Sequence, residues 1–133
     1  MGLRALVVDD APTAKALIAR TLQQLGCEVV GLASNGQEGV EMYKRLNPDF
    51  VTMDLVMPQM TGQEALEAIR AHDPSAVVIV ISSLGMMKKV LDCMRAGASY
   101  YLVKPFTPEK MKEVLQKRFP SAFEQEGHVT VVR

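Results

Sequence analysis

Hydrophobic residues are grouped along this chain in five short runs, at residues 3–8, 28–33, 50–53, 77–81 and 100–103. Three of the five runs are almost continuously apolar, which is typical of strands buried on both faces of a parallel sheet. Between the runs, apolar residues recur every three or four positions, as they do along one face of a helix. The clearest of these patterns are Ala14, Leu17, Ile18, Thr21, Leu22 and Leu25, and then Met87, Val90, Leu91 and Met94.

Residues that favour turns lie where the predicted helices should end. The first four helices are followed in turn by Gly26, Asn47-Pro48, Asp73-Pro74 and Gly97. Thr107 and Pro108 suit the N-cap and first turn of a fifth helix. Five β-α units in succession predict an α/β fold with a single five-stranded parallel sheet, doubly wound, in three α/β/α layers.

The character of the sequence changes near its C-terminal end. Pro120-Ser121 breaks the fifth helix, residues 122–127 are polar, and residues 128–132 alternate weakly like a strand. We therefore expect one domain over residues 1–119 and a C-terminal tail over residues 120–133. A linker, an extra edge strand and an interface arm all remain open for the tail.

Composition and charge exclude several classes of function. The 133 residues fit one domain, and 15 basic residues balance 15 acidic ones, which gives no argument for binding nucleic acid or an anionic membrane. No apolar run approaches the roughly 18 residues of a membrane span, and no secretion signal precedes the first strand. Cys27 and Cys93 lie far apart in apolar segments, so buried thiols are expected. These features predict a soluble cytoplasmic protein.

Polar residues with useful chemistry follow four of the predicted strands. Asp9 and Asp10 follow the first strand, Asp54 the third, Ser82 and Ser83 the fourth, and Lys104 the fifth. The carboxyl ends of parallel strands meet at one edge of the sheet, where α/β proteins bind their ligands. The topology therefore predicts that three carboxylates, a hydroxyl pair and an ammonium group converge there. Each residue taken singly is most often part of a turn or a helix cap; their joint position favours a site.

Three adjacent carboxylates repel one another, and a divalent cation relieves that repulsion. Hard oxygen ligands beside a phosphate are the usual surroundings of Mg²⁺. A carboxylate can act as the nucleophile in phosphoryl transfer and form an acyl phosphate. Lys104 and a serine hydroxyl are then suited to hold the phosphoryl oxygens. We therefore predict phosphoryl transfer at this edge.

The same residues resemble the CheY-like receiver domain of bacterial two-component response regulators. The resemblance extends over about residues 2–119. It is carried by Val7-Val8-Asp9-Asp10, Met53-Asp54-Leu55-Val56-Met57-Pro58 with Gly62, Ile81-Ser82-Ser83, Gly97-Ala98 and Val103-Lys104-Pro105-Phe106. It implies a flavodoxin-like fold with strand order 2-1-3-4-5. It also implies a cis peptide bond between Lys104 and Pro105.

The resemblance assigns a role to each residue of the predicted site. Asp54 is the expected phosphoacceptor, assisted by Lys104 and Ser82. The expected Mg²⁺ ligands are Asp10, Asp54, the backbone carbonyl of Val56, and Asp9 through a water molecule. Ser82 and Tyr101 are the expected switch residues. Ser83 competes with Ser82 for the switch role. Val56 is apolar where many members of the family carry a polar side chain that flanks the route of attacking water.

The resemblance also implies partners. We expect the phosphoryl group to come from a sensor histidine kinase or a histidine phosphotransfer protein. The face of the fourth helix, fifth strand and fifth helix would then signal to a downstream protein or a fused output domain, and a phosphorylation-dependent homodimer is a further expectation. Catalysis would be limited to self-phosphorylation from a phosphodonor and autodephosphorylation.

Two other functions compete with a signalling switch. The first is a Mg²⁺-dependent phosphohydrolase with an aspartyl nucleophile, although such enzymes favour a second Asp where this chain has Val56. The second is a flavodoxin-type cofactor binder, although Asp9 and Asp10 would repel a flavin phosphate.

Overall fold

The computed structural model describes residues 2–123, which form five β-α units followed by a short 3-10 helix. The strands are β1 (Arg4–Val8), β2 (Glu28–Ala33), β3 (Phe50–Asp54), β4 (Val78–Ser82) and β5 (Tyr100–Val103). The helices are α1 (Pro12–Gln24), α2 (Gly36–Leu46), α3 (Gly62–His72), α4 (Met87–Arg95) and α5 (Pro108–Arg118), and the 3-10 helix is Pro120–Phe123. The predicted fold class is confirmed.

All five strands are parallel and lie in the order β2-β1-β3-β4-β5, which confirms the expected 2-1-3-4-5 order. The register places Val8 beside Met53, and Asp54 beside Ile81. The residues that follow Val8 therefore lie next to Asp54 at the carboxyl edge of the sheet. This pairing of β1 with β3 positions the candidate site.

Helices cover both faces of the sheet and enclose two apolar cores. The first core lies under α2, α3 and α4, and includes Leu6, Met53, Val80, Leu66 and Val90. The second core lies under α1 and α5, and includes Val7, Ile79, Leu22, Met111 and Leu115. Alternate residues of a strand point to opposite faces, so each central strand contributes to both cores. Their near-continuous hydrophobic sequences follow from this double burial.

The expected helix ends agree with the structure, and two caps have the predicted chemistry. The side chain of Thr107 accepts a hydrogen bond from the backbone N–H of Lys110 at the start of α5. Asn47 ends α2 in the left-handed conformation, with φ of 48°, immediately before Pro48. The expected burial of Cys27 and Cys93 is also confirmed.

Three apolar residues of the predicted helical patterns are exposed rather than buried. The side chains of Leu17, Met87 and Leu91 are 62%, 47% and 48% exposed. In α1 the sheet is covered by Ile18 and Leu22, and in α4 by Val90 and Cys93. The exposed residues lie on the flanks of those faces. A three-or-four-residue period predicts an apolar stripe but not which edge of it the sheet covers.

The first part of the predicted tail packs onto the domain. Phe123 in the 3-10 helix is buried in the second core, beside Leu3, Leu25 and Cys27. The ring of Phe119, one residue before this helix, lies 5.9 Å from that of Phe50, measured between centroids. The strand-like pattern predicted at residues 128–132 lies outside the described residues. In the part of the chain that is described, no helix is both long and apolar enough to cross a membrane.

Candidate functional site

The three aspartates predicted to converge do so at the carboxyl edge of the sheet. One carboxylate oxygen from each of Asp9, Asp10 and Asp54 lies within 4.8 Å of the other two. Asp9 and Asp10 directly follow β1, and Asp54 is the last residue of β3, the neighbouring strand. The cluster is thus a direct result of strand order.

The adjacent aspartates Asp9 and Asp10 have different environments. Asp9 is buried, with 1% of its surface exposed, and its Oδ1 accepts a hydrogen bond from the backbone N–H of Ala11 at 2.9 Å. Its Oδ2 accepts a hydrogen bond from the ammonium group of Lys104. Asp10 is exposed at the rim. Both oxygens of Asp9 are therefore engaged by protein groups, whereas Asp10 is open to a ligand from solvent.

The pKa of the Asp54 carboxyl group is raised from 3.8 to about 6. Burial is the largest cause, and the neighbouring charge of Asp9 is the second. Lys104 opposes both effects, and Asp10 adds a smaller increase. A carboxylate held near other negative charges at a cleft is typical of functional sites.

Lys104 reaches the aspartates from the end of β5. Its Nζ lies 3.2 Å from Oδ2 of Asp9 and 3.5 Å from Oδ1 of Asp54. The Lys104–Pro105 peptide bond is cis, as the resemblance implied. Leu102, two residues before Lys104 and still in β5, lies in the second core. The lysine therefore approaches from the α1/α5 side of the sheet.

Ser82 lies on the opposite side. It ends β4, where Val78 and Val80 point into the first core beneath α2, α3 and α4. Its side chain is only 2% exposed, and among the described residues its Oγ has no hydrogen-bond partner. Ser83 is exposed to solvent. Burial and an unused hydroxyl both favour Ser82 over Ser83 as the group that meets a ligand.

The start of α3 packs closely against the backbone of Asp54 and Leu55. Any side chain at Gly62 would clash with the carbonyl oxygen of Asp54, and its Cβ would lie 2.8 Å from the Cα of Leu55. Thr61 and Glu64 form a reciprocal capping box that fixes the start of α3. Val56 lies in the loop between β3 and α3 with its side chain 55% exposed. An apolar side chain offers no ligand, so only its backbone carbonyl is available to a metal ion.

Tyr101 of β5 is exposed, as are apolar side chains of α4 and of the loop that precedes α4. The side chain of Tyr101 is 41% exposed, and that of Leu84, in the loop after Ser82, is 82% exposed. Met87 and Leu91 of α4 belong to the same exposed set. The predicted switch residues are therefore a buried serine and an exposed tyrosine on the neighbouring strands β4 and β5.

One residue near the site was not predicted. Thr52 is fully buried in β3, and among the described residues its Oγ1 has no hydrogen-bond partner. Thr52 is the one polar residue in a strand that is otherwise apolar up to Asp54. That interruption in the hydrophobic run was the available signal.

The donor set fits a hard divalent cation. Carboxylate oxygens at this spacing, with Asp10 open to solvent, are the ligands that Mg²⁺ prefers. A cation would also stabilise the charged form of Asp54, whose pKa is raised by burial and by the charge of Asp9. A carboxylate nucleophile, a cation pocket, a lysine and a free hydroxyl together form the parts required for phosphoryl transfer.

Comparisons with known proteins agree with this geometry. The chemotaxis protein CheY of Thermotoga maritima is 44% identical over 117 residues, which make up 88% of this chain and 98% of that protein. The CheX–CheY–BeF3–Mg²⁺ complex of Borrelia burgdorferi superposes with a TM-score of 0.82 at 34% identity, covering 88% of this chain and 89% of that one.

A third similarity concerns a magnesium site. A receiver domain of a sensor histidine kinase from Pseudomonas aeruginosa was solved with a magnesium ion in its active-site cleft. It is 28% identical, with a TM-score of 0.80 over 88% of this chain and 97% of that one. The profile of the response regulator receiver domain matches residues 5–116, which is most of this chain. The chain therefore belongs to the response regulator receiver family and is a CheY-like receiver domain.

Proposed function

We propose that this domain is a signalling switch in which Asp54 accepts a phosphoryl group in a Mg²⁺-dependent reaction. The observation that carries the proposal is the position of Asp54, which lies within reach of both the acidic pair and the ammonium group of Lys104. These groups surround one carboxylate at the rim of the sheet. A reactive carboxylate needs this combination of a cation pocket and a fixed positive charge.

In the proposed reaction, a carboxylate oxygen of Asp54 attacks the phosphorus of the donor. The new oxygen–phosphorus bond forms as the bond to the leaving group breaks, and the leaving group takes the bonding electrons. Asp10, Asp54 and the carbonyl of Val56 would hold Mg²⁺, with Asp9 joined through water; the ion would neutralise charge on the phosphoryl oxygens. Lys104 would turn from Asp9 and Asp54 to pair with one phosphoryl oxygen.

The switch would begin at Ser82. Its buried hydroxyl lacks a partner among the described residues, so donating a hydrogen bond to a phosphoryl oxygen would satisfy it. That movement would draw in the loop that carries Leu84 and open space for Tyr101, which is exposed in this structure. The α4-β5-α5 surface would then differ between the two states and serve as the output.

The partners follow from this chemistry. A sensor histidine kinase or a histidine phosphotransfer protein would supply the phosphoryl group, and a downstream protein or fused output domain would bind the switched surface. A homodimer formed after phosphorylation is a further proposal. The only catalysis would be on Asp54 itself, since Val56 offers no acid or base for turnover of other phosphoesters. A cytoplasmic location remains a prediction.

Beryllofluoride tests the proposal without a kinase. Addition of beryllofluoride and Mg²⁺ should shift the amide NMR signals of Ser82, Leu84 and Tyr101 in the wild-type protein. The Asp54→Ala variant should show none of these shifts. Glu28→Gln, an exposed acidic residue on the edge strand β2, is the control and should respond like the wild type. Equal responses from wild type and Asp54→Ala would contradict the proposal.

A further inference from the structure

Thr52 has a buried hydroxyl without an assigned role. Thr52 Oγ1 and Ser82 Oγ are the buried side-chain oxygens that lack a hydrogen-bond partner within residues 2–123. The proposed switch gives Ser82 a partner in the phosphoryl group. Thr52 lies deeper in β3 and is fully buried, so it needs a different explanation. A buried hydroxyl left unsatisfied is destabilising, and such groups frequently indicate a bound water or a functional role.

Thr52 lies directly beneath the aspartate cluster. Met53 and Leu55, on either side of Asp54 in sequence, both lie in the first core. Asp54 and Thr52 therefore point to the opposite face, toward α1 and α5. The neighbours of Thr52 across the sheet are Val7 and Ile79, which belong to the second core and carry only hydrocarbon groups.

The ammonium group of Lys104 lies beside Asp54, which is two residues after Thr52 and on the same face of β3. Its Nζ is 3.2 Å from Asp9, which follows β1, and 3.5 Å from Asp54, which ends β3. The lysine side chain starts at β5, so it must cross over β4 to reach both aspartates. An ammonium group donates three hydrogen bonds, and the two aspartates account for two directions.

We propose that Thr52 is a positioning residue for Lys104, acting through one buried water molecule. The water would accept a hydrogen bond from the lysine ammonium and donate one to Thr52 Oγ1. One water can join two polar atoms that are too far apart for a direct hydrogen bond, because it spans up to about 5.6 Å through two hydrogen bonds of about 2.8 Å each.

The inference rests on the proposed function, because Lys104 is there the group that meets the transferred phosphoryl oxygen. The water-mediated contact with Thr52 would keep the ammonium group of Lys104 in position at the carboxyl edge of the sheet after it leaves Asp9 and Asp54. Without the hydroxyl, the lysine loses this fixed contact and must be ordered during the reaction. In the proposed arrangement Thr52 contacts neither the phosphodonor nor the oxygen atoms that would bind Mg²⁺. Metal binding should therefore not depend on Thr52.

Two substitutions at position 52 separate the hydroxyl from its packing. Thr52→Val keeps the shape and removes the oxygen, whereas Thr52→Ser keeps the oxygen and removes a methyl group. With a small phosphodonor such as acetyl phosphate, Thr52→Val should be phosphorylated about tenfold more slowly, the usual scale for a group that orients a reacting residue. Thr52→Ser should stay within about threefold of wild type. Mg²⁺ affinity should be unchanged in both.

Other outcomes overturn the inference. If Thr52→Val is phosphorylated at the wild-type rate and has a higher melting temperature, the buried hydroxyl destabilises the fold and does not position Lys104. If Thr52→Ser is as slow as Thr52→Val, packing and not the hydroxyl sets the rate. A high-resolution crystal structure of the wild-type protein supplies a test independent of any variant, since it should show an ordered water between Thr52 Oγ1 and Lys104 Nζ. Absence of that water also overturns the inference.

The wild-type protein separates this inference from the proposed function. If wild type accepts no phosphoryl group from the donor with Mg²⁺ present, the proposed function is wrong and the inference falls with it. If wild type is phosphorylated and Thr52→Val matches it, only the role of Thr52 is wrong.

Discussion

The ammonium nitrogen of Lys104 lies 3.2 Å from Oδ2 of Asp9, closer than the 3.5 Å that separates it from Oδ1 of Asp54. Asp9 is almost fully buried, so its charge depends on this lysine and on the N–H of Ala11 for compensation. In the unmodified protein the lysine therefore holds together two acids from adjacent strands. Phosphorylation of Asp54 would offer it a third, stronger partner.

Removal of this charge should destabilise the metal-free protein. Lys104→Met keeps the length of the side chain but leaves Asp9 buried without its cation, so the free energy of unfolding at pH 7 should fall by about 2 kcal/mol. Lys110→Met is the matched control, because Lys110 is exposed and its ion-pair partner among residues 2–123 is Glu113 on its own helix. It should change stability by less than about 0.5 kcal/mol. Equal urea unfolding curves for the two variants would contradict the role assigned to Lys104.

Asp54 should make stability depend on pH. Burial and the charge of Asp9 raise its folded-state pKa to about 6, whereas an unfolded aspartate titrates near 3.8. Between these values the folded state binds more protons than the unfolded state, so metal-free wild type should lose stability as the pH rises from 4 to 6. Asp54→Asn removes this effect and should be more stable than wild type by roughly 2 kcal/mol at pH 7.

Urea titrations of both proteins at pH 4, 5, 6 and 7 check this prediction. The advantage of Asp54→Asn should be largest at pH 7 and should shrink toward pH 4. A constant difference across the range would show that the carboxylate of Asp54 is not destabilised by its surroundings.

Magnesium should stabilise the wild-type protein through the acidic cluster. A ligand present at ten times its dissociation constant adds about 1.4 kcal/mol to the free energy of unfolding. Asp10→Asn removes the exposed carboxylate of the cluster and should abolish most of this gain, whereas Glu28→Gln should keep it. Thermal melts with and without MgCl₂ measure the gain. If Asp10→Asn gains as much as wild type, the cation binds elsewhere.

The residues after Arg118 should contribute to folding stability. Phe123 is 6% exposed and packs beside Leu3, Leu25 and Cys27. Phe123→Ala leaves a cavity there and should lower the free energy of unfolding by about 3 kcal/mol. Ser121→Ala, at an exposed position in the same short helix, should have an effect below about 0.5 kcal/mol. A chain ending at residue 119 that unfolds at the wild-type urea concentration would contradict this contribution.

Much of the fold and site was predictable because both depend on strand order. Continuous apolar runs separated by helical periods indicate a parallel sheet, and a parallel sheet brings its strand ends together. Asp9, Asp10, Asp54 and Lys104 follow those ends, so their convergence did not require knowledge of side-chain packing. The choice of Ser82 over Ser83 rested on resemblance, and the structure adds a physical reason, since only Ser82 is buried.

Features set by packing between elements could not be predicted from the sequence. Leu17 and Leu91 match the helical period but lie on helix flanks, because the exposed edge of a stripe depends on how closely neighbouring helices approach. Phe123 follows Pro120, a residue that predicts only the end of α5. The burial of Phe123 in the second core, beside Leu25, is evident only from the folded structure. Thr52 is a residue type common in strands, and its unpaired hydroxyl is visible only once its neighbours are placed.

The central claim is that Asp54 carries the phosphoryl group. The most direct measurement is intact-protein mass spectrometry after incubation with acetyl phosphate and Mg²⁺, followed by treatment with hydroxylamine, which cleaves acyl phosphates. We predict that wild type gains the mass of one phosphoryl group, that hydroxylamine or omission of Mg²⁺ abolishes the gain, and that Asp54→Asn gains nothing. An unmodified wild-type protein, or an Asp54→Asn variant modified to the same extent as wild type, would contradict the account.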